Sequence, residues 1–222
     1  MKLPFDGQST SGRHFIDLEP DITWTILRTV EVGWVIALQA PDVKTGAREV
    51  ALTERLRDGM RQAQNRERSS LSEMLVVLPG TESRSRPDIL VPDGLTDIPI
   101  LCIGIRIRFG DHDPHAIIEC KRISGDDANL CRAYVLQGID RFRTGRYSGN
   151  HSTGFMIGYI ISGDEQAAVI GINRYLNRNS SPDEILKPSD KIIDSQVWTS
   201  RHPRAATSSI KLHHSFLTFT RN

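Results

Sequence analysis

The run Ala116-Ile117-Ile118-Glu119-Cys120-Lys121 constrains this chain most, because it sets an acid and a base inside an apolar segment of strand length. Ile118 and Cys120 alternate with Glu119 and Lys121, so a period of two puts the carboxylate and the ammonium on one face of a sheet. Such charges are costly to desolvate unless they pair or serve a ligand. A second interrupted run, Arg86-Pro87-Asp88-Ile89-Leu90-Val91, reads as a neighbouring buried strand. With Asp88 beside Glu119, two carboxylates make an oxygen-rich seat for a hard divalent cation. Lys121 then stabilises a phosphate or orients a water. The alternative is an edge-strand salt bridge between Lys121 and a carboxylate.

The rest of the chain supplies a layered frame. Residues 153 to 161 are nearly all apolar, as a strand buried on both faces requires. Asp21 caps a helix running to about Gln39, with Ile26, Val30, Trp34 and Leu38 on one face, and Pro41 ends it. A second helix covers about Arg48 to Arg68, striped by Val50, Leu52, Leu56, Met60 and Ala63. Strands are expected at Glu73 to Leu78, over 98 to 109 where isoleucine alternates with arginine, and at Ile210 to Thr220. Helices are expected from Ala128 to Phe142, after Ser124-Gly125-Asp126-Asp127, and from Asp164 to Leu176. The expected fold is α/β: a central mixed sheet of about five strands flanked by helices. Residues 1–46 form an N-terminal arm and helix, and 47–222 the core domain.

The pairing of Pro87-Asp88 with Glu119-Cys120-Lys121 resembles the PD-(D/E)xK nuclease superfamily, the restriction-endonuclease-like fold. The resemblance covers roughly residues 47 to 163. It implies a metal-dependent nuclease that hydrolyses phosphodiester bonds in nucleic acid, DNA before RNA, in restriction, repair or anti-phage defence. It implies Mg²⁺, with Mn²⁺ as a substitute, held by Asp88, Glu119 and the backbone carbonyl of Cys120. Lys121 completes the catalytic set. An acid on the first core helix often assists in this family, and Glu54 is the candidate; the other reading of Glu54 is an ion pair with Arg57. The alternative function is a catalytically inactive subunit that keeps the fold and binds nucleic acid or a protein.

Arg141, Arg143, Arg146 and Tyr147 cluster at the end of the helix from Ala128. They either complement its dipole or grip a phosphate backbone and stack on a base. Pro92-Asp93-Gly94 is turn chemistry, which leaves Asp93 outside the site. The loop 110 to 115 holds two Asp and two His and reads as a polar hairpin loop before a metal site. His202, His213 and His214 have no consistent ligand geometry and read as satisfied surface histidines before a residue that touches substrate.

Of 28 basic residues 22 are arginine, which suits phosphate recognition, yet the net charge is only +1. A weak non-specific pull on a polyanion follows, and with it the expectation of a homodimer or a partner subunit. Three cysteines without CxxC spacing argue against a disulfide framework. The N-terminus lacks an apolar core of signal-peptide length, and no run approaches a membrane span. A cytoplasmic protein without a membrane partner is therefore expected.

Overall fold

A computed structural model describes residues 17–66, 69, 71–80, 82–83, 94–109, 114–147, 151–177, 181–191, 193, 195–204 and 209–220. The chain is mixed α/β, with a seven-stranded sheet in the order β1-β4-β5-β6-β9-β8-β7. These strands are β1 (Leu75–Val77), β4 (Ile98–Cys102), β5 (Ala116–Ser124), β6 (Thr153–Ser162), β7 (Lys187–Pro188), β8 (Trp198–His202) and β9 (Ile210–Leu217). β2 (Glu82–Ser83) and β3 (Gly94–Leu95) form a separate antiparallel pair. β5, β6 and β9 run parallel to one another, and the remaining ladders are antiparallel.

Helices cover both faces. α1 (Pro20–Ala37) and α2 (Glu49–Arg66) bury Ile26, Val30, Trp34, Leu52, Leu56 and Met60 against Ile118, Cys120, Phe155, Ile157 and Tyr159. On the other face α4 (Ala128–Tyr134), a π-helical turn (Val135–Ile139), α5 (Asp140–Arg143) and α6 (Glu165–Leu176) pack on Ile117, Ile123, Met156 and Ile160. The alternation along β5 is the reason: odd and even positions belong to different apolar layers. Two of the helices after β5, α4 and α6, are capped as their sequences predict. Asp127 accepts from the backbone N–H of Asn129 and Leu130, and Asp164 from that of Ala167.

Three expectations are corrected. The sheet has seven strands, not about five, because β7 and β8 extend it beyond β9. The strand expected over 98–109 stops at Cys102 and continues as α3 (Ile103–Phe109). Its ladders run out there: Cys102 faces Leu75 at the start of β1, and Ile100 already faces Ala116 at the start of β5. A helix satisfies backbone groups that a longer strand would leave unpaired. The third correction concerns the histidines, which are buried: His202 and His214 fully, His213 at 4% exposure. Tyr134 Oη meets His214 Nδ1 at 3.0 Å, and Ser200 Oγ bridges His214 and His202 at 2.8 and 2.7 Å. All three cysteines are buried and free. No helix among the described residues is long and apolar enough to cross a membrane.

Burial pushes His202 down to about 4, against the pull of Glu184, and pushes His213 down to about 3 with help from Lys211. Burial also holds His214 well below the ordinary value. With folded values below the unfolded one, the stability from neutral histidines is present above about pH 6.5 and lost as pH falls toward 4. The midpoint of thermal unfolding should therefore drop between pH 6.5 and 4. His213 is the clearest contributor, since its ring stacks on Phe155 and its Nδ1 has no partner among the described residues. His213→Phe should flatten that drop without lowering stability at pH 7.5. Equal acid sensitivity of variant and wild type would assign the loss elsewhere.

Candidate functional site

β5 carries Glu119 and Lys121 on the face that meets α4 and α5, both buried inside the sheet. Lys121 Nζ lies 2.7 Å from Glu119 Oε1, and donates at 2.9 Å to both Glu49 Oε1 and the Cys120 carbonyl. Glu49 is the first residue of α2, and its second oxygen accepts from the Arg122 backbone N–H at 2.9 Å. One carboxylate thus ties the start of α2 to both the side chain and the backbone of the site strand.

The second carboxylate comes from Asp97, immediately before β4. Since β4 pairs antiparallel with β5 and Ile98 faces Ile118, Asp97 stands at the level of Glu119. Its Oδ2 accepts from the Cys120 N–H at 2.7 Å. Asp97's own carbonyl receives Arg57 of α2 at 2.7 Å, and Arg57 is held in turn by both oxygens of Glu54. Asp97 is therefore fixed through its carboxylate and its backbone.

Arg141 of α5 closes the group from the other layer. Its Nη1 donates to Glu119 Oε1 at 2.8 Å and to Tyr147 Oη at 2.6 Å. Tyr147 donates its hydroxyl to the Leu95 carbonyl and packs edge-on against Phe142. The π-helical turn just before α5 adds residues to one turn and so resets the direction in which Arg141 leaves the helix. Gly138 within that turn leaves room: a Cβ there would lie 2.5 Å from the Met156 methyl.

Electrostatics mark this cluster out. Burial, reinforced by Asp97, pushes the Glu119 carboxyl up to about 7 although Lys121 and Arg141 pull it down. Burial also raises Asp97, with Glu49 adding to it, against Lys121 and Arg141. For Lys121, burial disfavours the charge, but Glu119, Asp97 and Glu49 outweigh it and the ammonium is held charged. Two acids both raised chiefly by burial, with Asp97 adding to the rise at Glu119, beside a fixed cation form the kind of arrangement that clusters at functional sites.

The sequence-predicted residues fall as follows. Glu119, Lys121 and Cys120 are brought together, and Arg141 joins them. Asp88 and Asp93 lie outside the described residues, as does most of the loop 110 to 115. His115 from that loop is buried, and its Nδ1 accepts from the Cys102 N–H at 2.8 Å. Glu54 does not reach the cluster: its side chain is half-exposed and ends on Arg57. The helix acid in the cluster is Glu49, five residues earlier and about 140° round the helix. Tyr147 is fully buried, so its ring is not available to stack on a base. Arg143 pairs with Asp140 and Glu184, away from Glu119, and Arg146 is exposed. Asp97 and Glu49 are the residues that sequence reading missed. The usable signal for Asp97 was its place at the mouth of Ile-Pro-Ile-Leu-Cys, the strand just before β5.

Among the described residues no group of three or more His, Cys, Asp or Glu could hold a metal ion. The cluster still fits a cation that takes few protein ligands. Glu119 Oε2 is buried with no hydrogen-bond partner among the described residues, and Asp97 lies beside it. Mg²⁺ takes one or two carboxylates and fills its remaining positions with water and phosphate oxygens. No family model, no curated protein and no solved structure matches the chain.

Proposed function

We propose that this chain is a metal-dependent nuclease of the PD-(D/E)xK type on a restriction-endonuclease-like core, with DNA as the favoured substrate. One observation carries the reading: an antiparallel strand pair sets Asp97 against Glu119 and Lys121, with Glu119 Oε2 buried and without a hydrogen-bond partner among the described residues. Asp97 and Glu119 would hold Mg²⁺, or Mn²⁺ in its place. The ion supplies Lewis-acid polarisation of a phosphate and lowers the pKa of a bound water. Lys121 stays protonated and fixed between three acceptors, where it offsets negative charge developing on the phosphate. Glu49 positions Lys121, and the Glu54–Arg57 pair positions Asp97. Restriction, repair and anti-phage defence are all settings that suit such a core.

The test is a cleavage panel across single-stranded, duplex and branched DNA and RNA, with Mg²⁺, Mn²⁺, Ca²⁺ or excess chelator. Mg²⁺ and Mn²⁺ should support cleavage, and Ca²⁺, a weaker activator of water, should support binding with little turnover. Asp97→Asn should lose about a hundredfold or more in rate, Glu49→Gln somewhat less, and Glu54→Gln least. Undiminished cleavage by Asp97→Asn, or full activity in chelator, would sink the proposal. A second reading, an inactive nuclease-fold subunit, has its own support: Lys121 and Arg141 already neutralise Glu119. Nucleic-acid binding without cleavage under every metal condition would favour it.

A further inference from the structure

We infer that Arg141 is a displaceable stand-in for the divalent cation: it occupies Glu119 in the metal-free protein, yields on metal entry, and then turns to the substrate phosphate. This rests on the metal-dependent reading above and assigns that site a built-in exchange.

The two cations on Glu119 are held very differently. Lys121 is 8% exposed in its side chain and has three acceptors, Glu49, Glu119 and the Cys120 carbonyl. Arg141 is 30% exposed in its side chain. Among the described residues a single nitrogen, Nη1, makes both of its hydrogen bonds, one to Glu119 and one to Tyr147. Arg141 can therefore rotate outward at small cost, whereas Lys121 cannot leave without stripping three partners.

Charge points the same way. Among the described residues three carboxylates, Glu49, Asp97 and Glu119, face two cations, Lys121 and Arg141. A divalent ion added with Arg141 in place would leave an excess positive charge in a buried site. With Arg141 turned out, carboxylates and cations balance. The Tyr147 hydroxyl, anchored on the Leu95 carbonyl, gives the guanidinium a fixed resting partner at the point of exchange. Its ring face lies 5.4 Å from the guanidinium carbon. Once released, a guanidinium at the rim presents paired donors to a phosphate, the geometry arginine is best suited to.

Calorimetric titration of the protein with Mg²⁺, in the absence of nucleic acid, tests the exchange directly. Arg141→Met should bind Mg²⁺ about fivefold or more tightly, because the ion no longer competes with a partly exposed pair. Arg122→Met removes equal charge next to Lys121, but among the described residues its guanidinium reaches only toward the Thr45 carbonyl; it should change affinity by about twofold at most. Tyr147→Phe, which removes the resting partner and keeps the ring, should shift affinity the same way as Arg141→Met. It serves if the methionine variant does not fold. In Ca²⁺, Arg141→Met should bind a DNA duplex more weakly than wild type, and in chelator the difference should vanish. Equal tightening by Arg122→Met, unchanged or weaker Mg²⁺ binding by Arg141→Met, or a duplex-binding defect that persists in chelator would overturn the exchange while leaving the metal site standing. No Mg²⁺ binding by wild type or variants would overturn the metal site, and the exchange with it.

Discussion

Lys121→Met is expected to destabilise the fold by about 3–5 kcal/mol, the range for removing one partner of a buried ion pair. Methionine fills nearly the same volume, so the loss comes from charge and not from a cavity. Glu119 is fully buried and, among the described residues, would keep Arg141 as its one ion-pair partner, while Glu49 would lose the ammonium that links α2 to β5. Combining Lys121→Met with Glu119→Gln should recover much of the stability, because the charge and its partner leave together. Cleavage should remain absent in the double variant, since both groups serve the proposed chemistry. Denaturant unfolding of the four proteins in this cycle measures the coupling. Strictly additive losses would mean that the two side chains do not interact in solution.

Gly59→Ala should also be damaging, against the ordinary trend. Within a helix, glycine to alanine gains about 1 kcal/mol from propensity alone. Here α1 and α2 touch backbone to backbone: a Cβ on Gly59 would lie 2.0 Å from the Gly33 carbonyl oxygen, and one on Gly33 2.7 Å from the Met60 nitrogen. Neither neighbour is a side chain that can rotate away. The helices must separate, which opens the layer formed by Ile26, Val30, Leu56 and Met60. Overpacking typically costs about 1–3 kcal/mol and more where backbone must move, so a net loss of about 2 kcal/mol is expected after the propensity gain. Thermal unfolding checks it, and a raised midpoint would show that the helices do not approach this closely.

The elements that were legible in the sequence are those whose patterning and burial agree. Residues 153–161 read as a strand buried on both faces because nothing charged interrupts them, and β6 is that strand. The helix from Ala128 announced itself by the Asp127 cap, although its π-helical turn left no signal. β8 went unread because Trp-Thr-Ser-Arg-His carries no apolar alternation; its polar side chains are satisfied by His214 and Glu184, which only tertiary structure brings near. At the site, Glu119 and Lys121 were legible because charge inside an apolar strand needs a reason. Asp97 was passed over for a Pro-Asp that matched a pattern, whereas its own significance comes from the ladder that sets Ile98 against Ile118. Glu54 is the helix acid that the resemblance suggests, whereas Glu49 on the same helix reaches Lys121, and only packing decides which face looks at β5.

The attachment of the site to α2 has a consequence for how the protein fails. Glu49 sits in the first turn of the helix, where backbone amides lack partners within the helix and fraying begins. Its two oxygens hold Lys121 Nζ and the Arg122 N–H, so unwinding that one turn releases both. The interior of α2, gripped at Leu52, Leu56 and Met60, need not move. Gentle warming or mild denaturant should therefore open this corner by a sub-global fluctuation while the sheet stays protected from exchange. The amide of Arg122 would report it, exchanging well before the amides of β6 in the middle of the sheet.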